Sequence, residues 1–306
     1  DWSSDVCSSD LALRERLSLN EKMIEMARKN TSDIRRKLGM GEATQVMLSQ
    51  QLIFEQNLRA QGRDLQLQQQ QVMGQLAYLS GQHSGAGSAL PVHLGDVRLP
   101  LPDAFQPAEL LCRRPDLRQA EADLRSANAD VGVARTLLLP NVSVSLLAGQ
   151  VATGLGGLMA GANGFLQAGM SASQNIFDGG ARRQGVALSE ARRAELMERY
   201  ASAILAALRD TQGALDGVQL SVQKLTWLQD NRAQAQQLAS QMQVMLERGG
   251  LDFAQLIQIQ TAVYTSEDAA VSGLLDRVLA QIELYKAIGG SLDQKPGQCK
   301  DMERRS

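Results

Sequence analysis

Aromatic residues are scarce in this sequence, at 4% of 306 residues, and this argues against the densely packed core of a globular enzyme. The three cysteines, Cys7, Cys112 and Cys299, lie far apart without metal-ligand spacing, so we expect neither a disulfide framework nor a zinc site. Charge of neither sign predominates (31 basic and 33 acidic residues), which argues against a nucleic-acid partner. No run of about 18 apolar residues occurs, so we expect no transmembrane helix, whereas membrane-crossing strands give a weaker pattern and are not excluded.

The sequence is rich in long helical stretches, and the longest pair runs from Ala181 to Gly290. Residues 181–248 contain no proline and could extend roughly 100 Å as a helix. Gly249 and Gly250 end this helix, and Asp252 can cap a second helix that folds back. Both helices carry apolar residues at coiled-coil spacing: Ile204, Leu208, Thr211, Leu215, Val218, Val222 and Leu225, then Ile257, Tyr264, Val271, Leu275, Val278, Ile282 and Tyr285. We therefore predict a helical hairpin over 181–290.

A shorter helical hairpin is predicted over residues 12–82. Helical periodicity extends from Ala12 to Leu38, Gly39 and Gly41 interrupt it, and a second helix follows over about 43–79. This second helix has two apolar stripes on different faces, as a helix needs when it contacts neighbours on both sides; its many glutamines could instead form a solvated face. The stripes are Val46, Ile53, Ala60 and Leu67, and Leu58, Leu65, Val72 and Leu79.

Residues 39–50 and 249–260 share the same layout at an offset of 210 positions, which predicts an internal repeat. In this alignment Glu42 corresponds to Asp252, and each turn follows a basic residue. A chance similarity between two helices rich in alanine and glutamine is the alternative. If the repeat is real, the chain contains one complete long hairpin and the distal part of another.

Residues 1–11 fit neither hairpin. They resemble a translated sequencing adapter, and they have neither the basic start nor the apolar middle of a signal peptide. We interpret them as an assembly artefact, the alternative being a polar disordered tail, and we expect the natural N-terminus to lie upstream. At the other end, we expect residues 291–306 to form a disordered polar tail.

Between the hairpins, the periodicity changes twice. Residues 83–109 form a linker rich in glycine, proline and serine, and a short helix is predicted over 110–138. After Pro140 polar and apolar residues alternate, which predicts strands over 142–151 and 165–177 within a β-hairpin at 139–180. One face of the second strand is apolar, with Leu166, Ala168, Met170, Ala172 and Ile176, and the other carries Gln167, Gly169, Ser171, Ser173 and Asn175. Such strands suit either a soluble hairpin or the wall of a water-filled barrel in a bilayer.

Several short motifs together resemble the TolC-like outer-membrane efflux proteins, most nearly the OprM/NodT lipoprotein branch. The resemblance covers about Leu13 to Gly290. Its motifs are Leu111-Cys112-Arg113-Arg114-Pro115-Asp116-Leu117, Ala120-Glu121, Ala127-Asn128-Ala129, Gly132-Val133-Ala134-Arg135, Leu139-Pro140, Ile176-Phe177-Asp178-Gly179-Gly180 and Tyr285-Lys286-Ala287-Ile288-Gly289-Gly290.

This resemblance implies a homotrimer in the outer membrane. Each chain of the family gives strands to a shared transmembrane β-barrel, while long antiparallel coiled-coil hairpins form an α-barrel tunnel across the periplasm. The tunnel opens when it joins a periplasmic adaptor and an inner-membrane pump. The fold class expected is therefore mainly α with a small β part. The resemblance also implies that an earlier strand pair, the opening helices, a signal peptide and any lipid-bearing cysteine lie upstream of this sequence.

The turns at the hairpin tips supply the candidate functional residues. Three copies of Asp252, with Glu42 nearby, could ring a narrow pore and attract cations, and helix capping is an equally good explanation of both. The candidates for contact with the adaptor are Gly39, Gly41, Gly249, Gly250, Leu251 and Phe253, although turn formation alone would explain the glycines. We expect Arg113 and Arg114 to pair with carboxylates between helices, for example Glu121 or Asp123 in a neighbour.

No catalytic or metal-binding arrangement is apparent, so we expect a passive export duct without a cofactor and not an enzyme. His83 and His93 lie in the linker without a ligand or triad pattern, and we interpret both as surface residues. A soluble coiled-coil scaffold or adaptor is the alternative function. It would explain the long helices, but it leaves the alternating strands without a role.

Overall fold

The computed structural model describes residues 2–81, 93–97, 110, 113–150, 164–247 and 253–290. Long helices predominate, and one two-stranded antiparallel sheet interrupts them, so the predicted class, mainly α with a small β part, is confirmed. The elements are α1 (Trp2–Gly39), α2 (Gln45–Ser80), a 3₁₀ turn (Leu94–Asp96), α3 (Pro115–Thr136), β1 (Asn141–Gln150), β2 (Gly164–Ser173), α4 (Ala181–Glu247) and α5 (Phe253–Ala287). Among the described helices, none is both long and apolar enough to cross a membrane.

The chain divides into two compact units, which we describe separately. Unit 1 comprises residues 1–110 and 208–306, and unit 2 comprises residues 111–207. The long helix α4 passes from one unit to the other. Unit 1 therefore contains the α1–α2 hairpin, the 3₁₀ turn, the second part of α4 and α5, and unit 2 contains α3, the sheet and the beginning of α4.

The first helix begins about ten residues before the predicted start. It includes residues 2–11, and Leu11 and Ala12 are buried against Val278 and Ile282 of α5. The alternative of a disordered tail is therefore wrong for this stretch, because its apolar end packs into unit 1. The interpretation of these residues as a translated adapter concerns their origin and stays a prediction.

Part of the linker is folded against the same cluster. Leu94, in the 3₁₀ turn, is completely buried among Leu11, Ala12, Val278 and Ile282. Its backbone N–H donates to the Glu15 carboxylate at 2.9 Å. Residues 93–97 are thus fastened to unit 1, while the remainder of the predicted linker lies outside the described residues.

The two stripes of α2 have different environments. Leu58 and Leu65 are buried in the hairpin with α1, whereas Val46 and Ile53 are more than 60% exposed and Leu67 is also exposed. One stripe therefore holds the hairpin together, and the other remains on the surface of a single chain. This pattern agrees with the prediction that α2 has apolar residues on two faces.

The predicted contact face of α4 is partly wrong. Thr211 and Leu225 are buried as expected, but Leu208, Leu215 and Val222 are exposed. The buried positions adjacent to them are the small residues Ala214 and Ser221. Ala214 packs with Leu284, Ala287 and Ile288, so a small residue of α4 meets the larger Leu284 and Ile288 at the end of α5. A prediction based on the spacing of large apolar residues misses a contact face that contains small residues.

The central helix of unit 1 is α1, which packs on α2 and on α5. Asn20 is only 1% exposed, and its side-chain amide donates to Leu58 O of α2 and to Tyr264 Oη of α5, both at 3.1 Å. Burial raises the pKa of the Tyr264 hydroxyl, which stays protonated. One buried amide therefore connects three helices.

A second polar contact joins α1 to α5 one turn away. The Arg16 guanidinium donates two hydrogen bonds to the Asp268 carboxylate, at 2.7 and 2.9 Å. Hydrogen bonding to Asp268 raises the pKa of Arg16 above its usual value, so the guanidinium stays charged throughout the physiological range. The two residues are 252 positions apart in the chain, and the contact is thus purely tertiary.

The closest approach of α1 and α2 occurs at Gly62. A Cβ atom at this position would lie 2.4 Å from Asn20 Oδ1, and Asn20 is held by its own two hydrogen bonds. We predict that Gly62→Ala lowers the free energy of unfolding by about 1–3 kcal/mol, since the buried amide must move. Urea unfolding followed by circular dichroism measures the change.

Gly74→Ala in the same helix is the matched control. A Cβ atom there meets nothing within 4 Å, so the substitution should stabilise α2 by about 0.5–1 kcal/mol. Equal effects of the two alanines would contradict the proposed close approach.

The Arg16–Asp268 contact should contribute more than an ordinary surface ion pair. In a double-mutant cycle with Arg16→Met and Asp268→Asn, we expect a coupling free energy of roughly 1–2 kcal/mol, because the pair is bidentate and largely enclosed. The exposed pair Arg36–Asp33 of α1 is the control and should couple by about 0.5 kcal/mol or less. A coupling at Arg16–Asp268 no larger than this control would show that the contact adds nothing specific.

Candidate functional site: hairpin turns and sheet

The turn that joins α1 to α2 has a defined hydrogen-bond pattern. The N–H of Glu42 donates to Lys37 O at 2.9 Å, and the N–H of Gly41 donates to Leu38 O at 3.1 Å. Gly41 has a φ of 74°, the left-handed conformation that glycine adopts without strain. These are the two bonds of a Schellman motif, which ends α1 and reverses the chain within a few residues.

The helix that follows this turn is capped by Thr44 and not by Glu42. Thr44 has an extended backbone, and its hydroxyl oxygen accepts the N–H of Met47 at 3.3 Å. The capping explanation for Glu42 is therefore wrong, because its backbone belongs to the preceding Schellman motif. Its side chain is exposed, so Glu42 presents a carboxylate to solvent without a capping task.

The beginnings of α2 and α5 lie side by side. Leu48 and Leu256, each the fourth residue of its helix, form a buried cluster with Ile34 of α1. The residues packed around this tip cluster are Leu38, Ala43, Met47, Leu52, Met242 and Ile257. The first turn of each returning helix is thus at the same end of unit 1, as expected if both hairpins point in one direction.

The second turn lies outside the described residues. Gly249, Gly250, Leu251 and Asp252 all fall in this range, and α5 begins at Phe253. Of the predicted site residues, the structure therefore places Gly39 at the end of α1, Gly41 and Glu42 in the first turn, and Phe253 at the start of α5. The proximity of Glu42 to Asp252 stays a prediction.

Positive charge surrounds the first turn. Arg35, Arg36 and Lys37 are all exposed on the last turn of α1, and Arg36 is paired with Asp33 at 2.8 Å. Cations at this position interact favourably with the carbonyl end of the helix dipole. They also reduce the negative potential that Glu42 can produce, so any attraction of cations at this tip depends on how far its carboxylate stands from Lys37.

The sheet of unit 2 separates apolar from polar side chains along most of its length. Val142, Val144, Leu146 and Ala148 pair across the strands with Ala172, Met170, Ala168 and Leu166, so one face is apolar over these four pairs. These large side chains are exposed, and Val144 reaches 78%. The predicted alternation is confirmed, and the apolar face has no partner within the described part of the chain.

The opposite face is polar at the end of the sheet where β1 begins and β2 ends. Asn141 pairs with Ser173 and Ser143 with Ser171, and the two hydroxyls of the latter pair are 2.7 Å apart. Toward the other end, Leu147 and Phe165 make this face apolar as well. The face that could line an aqueous interior is therefore restricted to the part of the sheet nearest the helices.

The second strand is shorter than predicted. It ends at Ser173 and not at Phe177, because Gln174 departs from the pairing and its amide donates to Leu138 O at 3.5 Å. Residues 174–180 then form an irregular connection to α4. The first strand, 141–150, agrees with the predicted 142–151 to within one residue.

Asp178 caps the long helix α4. Its carboxylate accepts the backbone N–H of Gly180 at 2.9 Å and that of Arg182 at 3.3 Å. The Arg182 guanidinium lies 3.5 Å from the same carboxylate. Asp178 therefore fixes the direction in which the chain enters α4.

Arg114 pairs with a carboxylate as predicted, but with a different one. Its guanidinium donates to Asp116 at 3.0 and 2.8 Å, and this hydrogen bonding lowers the pKa of the Asp116 carboxyl below its usual value. Within the same chain, Glu121 pairs with Arg125 of α3. The Arg114–Asp116 contact is local to the start of α3, and the pairing with a carboxylate of a neighbour stays a prediction.

The described residues contain no cluster of three or more side chains that could hold a metal ion. His93 is exposed, in agreement with its interpretation as a surface residue, and its Nδ1 atom lies 3.7 Å from the Glu15 carboxylate. His83 lies outside the described residues.

Comparison with known proteins places these features in a family. The family model described as outer membrane efflux protein matches residues 107–290. The pyoverdine export outer membrane protein OpmQ of Pseudomonas aeruginosa is 31% identical over 280 residues, which is 92% of this chain and 59% of OpmQ. Outer membrane protein OprJ of the same organism is 30% identical over 94% of this chain and 60% of OprJ, and the toluene efflux pump outer membrane protein TtgC of Pseudomonas putida is 25% identical over 92% and 58%.

Solved structures agree with this relationship. A membrane protein from Pseudomonas aeruginosa superposes with a TM-score of 0.84 and 26% identity over 96% of this chain and 66% of that protein. The MtrE outer membrane channel of Neisseria gonorrhoeae has the same fold, with a TM-score of 0.81 at 21% identity over 96% of this chain and 66% of MtrE. The chain spans about three fifths of the length of the curated relatives it matches. Because the family model covers more than half of the chain, this protein belongs to the outer membrane efflux protein family.

Proposed function

We propose that the intact protein is an outer-membrane channel subunit of an efflux system. The observation that carries this proposal is the sheet, whose apolar face is fully exposed while the other face is polar near the helices. Such a sheet suits a wall between lipid and water, and the long helices attached to it suit a duct that continues beyond the membrane. In this role the protein conducts small molecules passively, with no catalytic residue and no cofactor.

The intact protein would act as a homotrimer that shares one transmembrane β-barrel and one helical tunnel. The exposed stripe of Val46, Ile53 and Leu67 on α2 supports this arrangement, since a helix in a ring needs a neighbour on both sides. A periplasmic adaptor and an inner-membrane pump would complete the system. The adaptor would contact the hairpin tips at Gly39, Gly41, Gly249, Gly250, Leu251 and Phe253.

One relative is named for pyoverdine export and another for toluene efflux, although the two resemble this chain in the same region. A soluble coiled-coil scaffold, the alternative function, would have no use for a sheet with one face of exposed valine, leucine and methionine. Such a surface would cause aggregation in water unless lipid or another protein covered it.

Val144→Lys tests whether the apolar face meets lipid. In the intact protein we expect this change to weaken folding in phospholipid vesicles by about 2–4 kcal/mol, because a cation near the bilayer centre is poorly solvated. The measurement is urea unfolding of vesicle-inserted protein.

Ser143→Lys is the matched control, since this neighbouring side chain lies on the polar face. It should cost about 1 kcal/mol or less, chiefly through the lost bond to Ser171. Equal tolerance of lysine at both positions, with release of the wild-type protein from membranes by salt alone, would favour the soluble scaffold.

The tip acids can be tested separately from helix capping. In planar bilayers, Glu42→Ala in the intact protein should reduce the preference of the channel for cations, because it removes one carboxylate per subunit near the proposed constriction. Asp252→Ala should raise the single-channel conductance or alter the preference of the channel for cations.

Thr44→Ala provides the control, because it removes the cap of α2 and keeps both carboxylates. It should lower stability by about 1 kcal/mol and leave selectivity unchanged. If Glu42→Ala and Asp252→Ala leave conductance and selectivity at the wild-type values, the tip acids do not form the gate.

A further inference from the structure

The most exposed large apolar side chains of the described chain lie just beyond the paired ends of the two strands. Ile176 is 99% exposed and Phe177 is 93% exposed, although neither belongs to the sheet. Leu137, Leu138 and Leu139, immediately before β1, are exposed as well. We call these five residues the basal patch.

The basal patch consists of two chain segments, residues 137–139 and 176–177, which are held side by side. Asn141 and Ser173 are the last pair of the sheet at this end, and beyond them Gln174 donates to Leu138 O at 3.5 Å. The cap formed by Asp178 then fixes the chain directly after Phe177. The basal patch is therefore a built feature of unit 2, and it continues the surface of the sheet toward the helices.

Charged groups border this patch on the helical side. Arg182 lies against Asp178, and Arg135 of α3 pairs with Glu190 of α4 at 2.8 Å. Arg183, the next residue of α4, is exposed. These groups comprise three arginines and two carboxylates, so one positive charge is in excess next to the apolar side chains.

We propose that the basal patch lies in the headgroup layer of the phospholipid bilayer, with Arg183 binding lipid phosphate. An exposed apolar patch that contains an aromatic ring and adjoins arginine matches the chemistry of a membrane interface, where acyl chains end and phosphates begin. The excess positive charge favours anionic phospholipid at this position. This inference rests on the proposed function, since it requires the sheet to be in a membrane.

Tryptophan fluorescence in vesicles tests the position of the patch. In the intact protein with its native tryptophans replaced by phenylalanine, Phe177→Trp should be quenched more strongly by a headgroup spin label than by bromine deep in the acyl chains. Leu146→Trp, at the middle of the apolar face, should show the reverse order.

These two variants distinguish a failure of the inference about the basal patch from a failure of the proposed function. If Leu146→Trp is quenched by deep bromine and Phe177→Trp is quenched by neither probe, the basal patch is covered by protein, and the inference fails while the proposed function stands. If neither variant is quenched by any lipid probe, the sheet is not in the bilayer, and both fail.

Lipid selectivity tests the role of Arg183. Quenching of Phe177→Trp by brominated phosphatidylglycerol, relative to brominated phosphatidylcholine at equal mole fraction, should fall about fivefold on addition of Arg183→Gln, the effect expected for loss of one surface arginine. Arg193→Gln, three turns further along α4, is the control and should leave the ratio unchanged. An equal change in both arginine variants, or none in Arg183→Gln, would overturn the proposed phosphate contact.

Discussion

The contact of α1 with both α2 and α5 is the constraint on which the arrangement of unit 1 depends. Asn20 can donate to both neighbours only because Gly62 lets α2 approach without a side chain in between. Around this buried amide, apolar clusters extend along the helices to the tip cluster at one end and to Leu94 at the other. Since apolar contacts alone tolerate sliding, a buried hydrogen bond with one partner on each side helps to fix the register of three long helices.

Both units leave large apolar surfaces uncovered. In unit 1 the second stripe of α2 is exposed, and in unit 2 the apolar sheet face and the basal patch are exposed. Burial of such surface is the main driving force for association in water, so these are the surfaces through which the proposed channel would meet its neighbours. Further copies of the chain for the helices and lipid for the sheet account for both surfaces in the proposed channel.

Sequence periodicity predicted the helices and strands well, but it predicted their contact faces less well. The alternation after Pro140 located both strands, because a pleated strand places successive side chains on opposite faces whatever surrounds it. The same alternation predicted that β2 continues to Phe177, which is wrong. An apolar residue beyond the last paired residue continues the pattern of side chains without continuing the hydrogen bonds. In α4 the periodicity predicted contacts for the large residues Leu208, Leu215 and Val222, but these are exposed, and the small residues Ala214 and Ser221 are buried.

The sequence by itself determined the helical hairpins, the alternating strands and the glycine turn at Gly41, because each follows from local backbone preferences within a few residues. Only the three-dimensional structure decided that Thr44 and not Glu42 caps α2, and that Asn20 and Arg16 connect α1 to α5. Arg16 and Asp268 are 252 positions apart, and no local pattern marks them as partners. Their contact exists because packing brings two helix faces together, and which faces meet depends on the shapes of all the side chains between them.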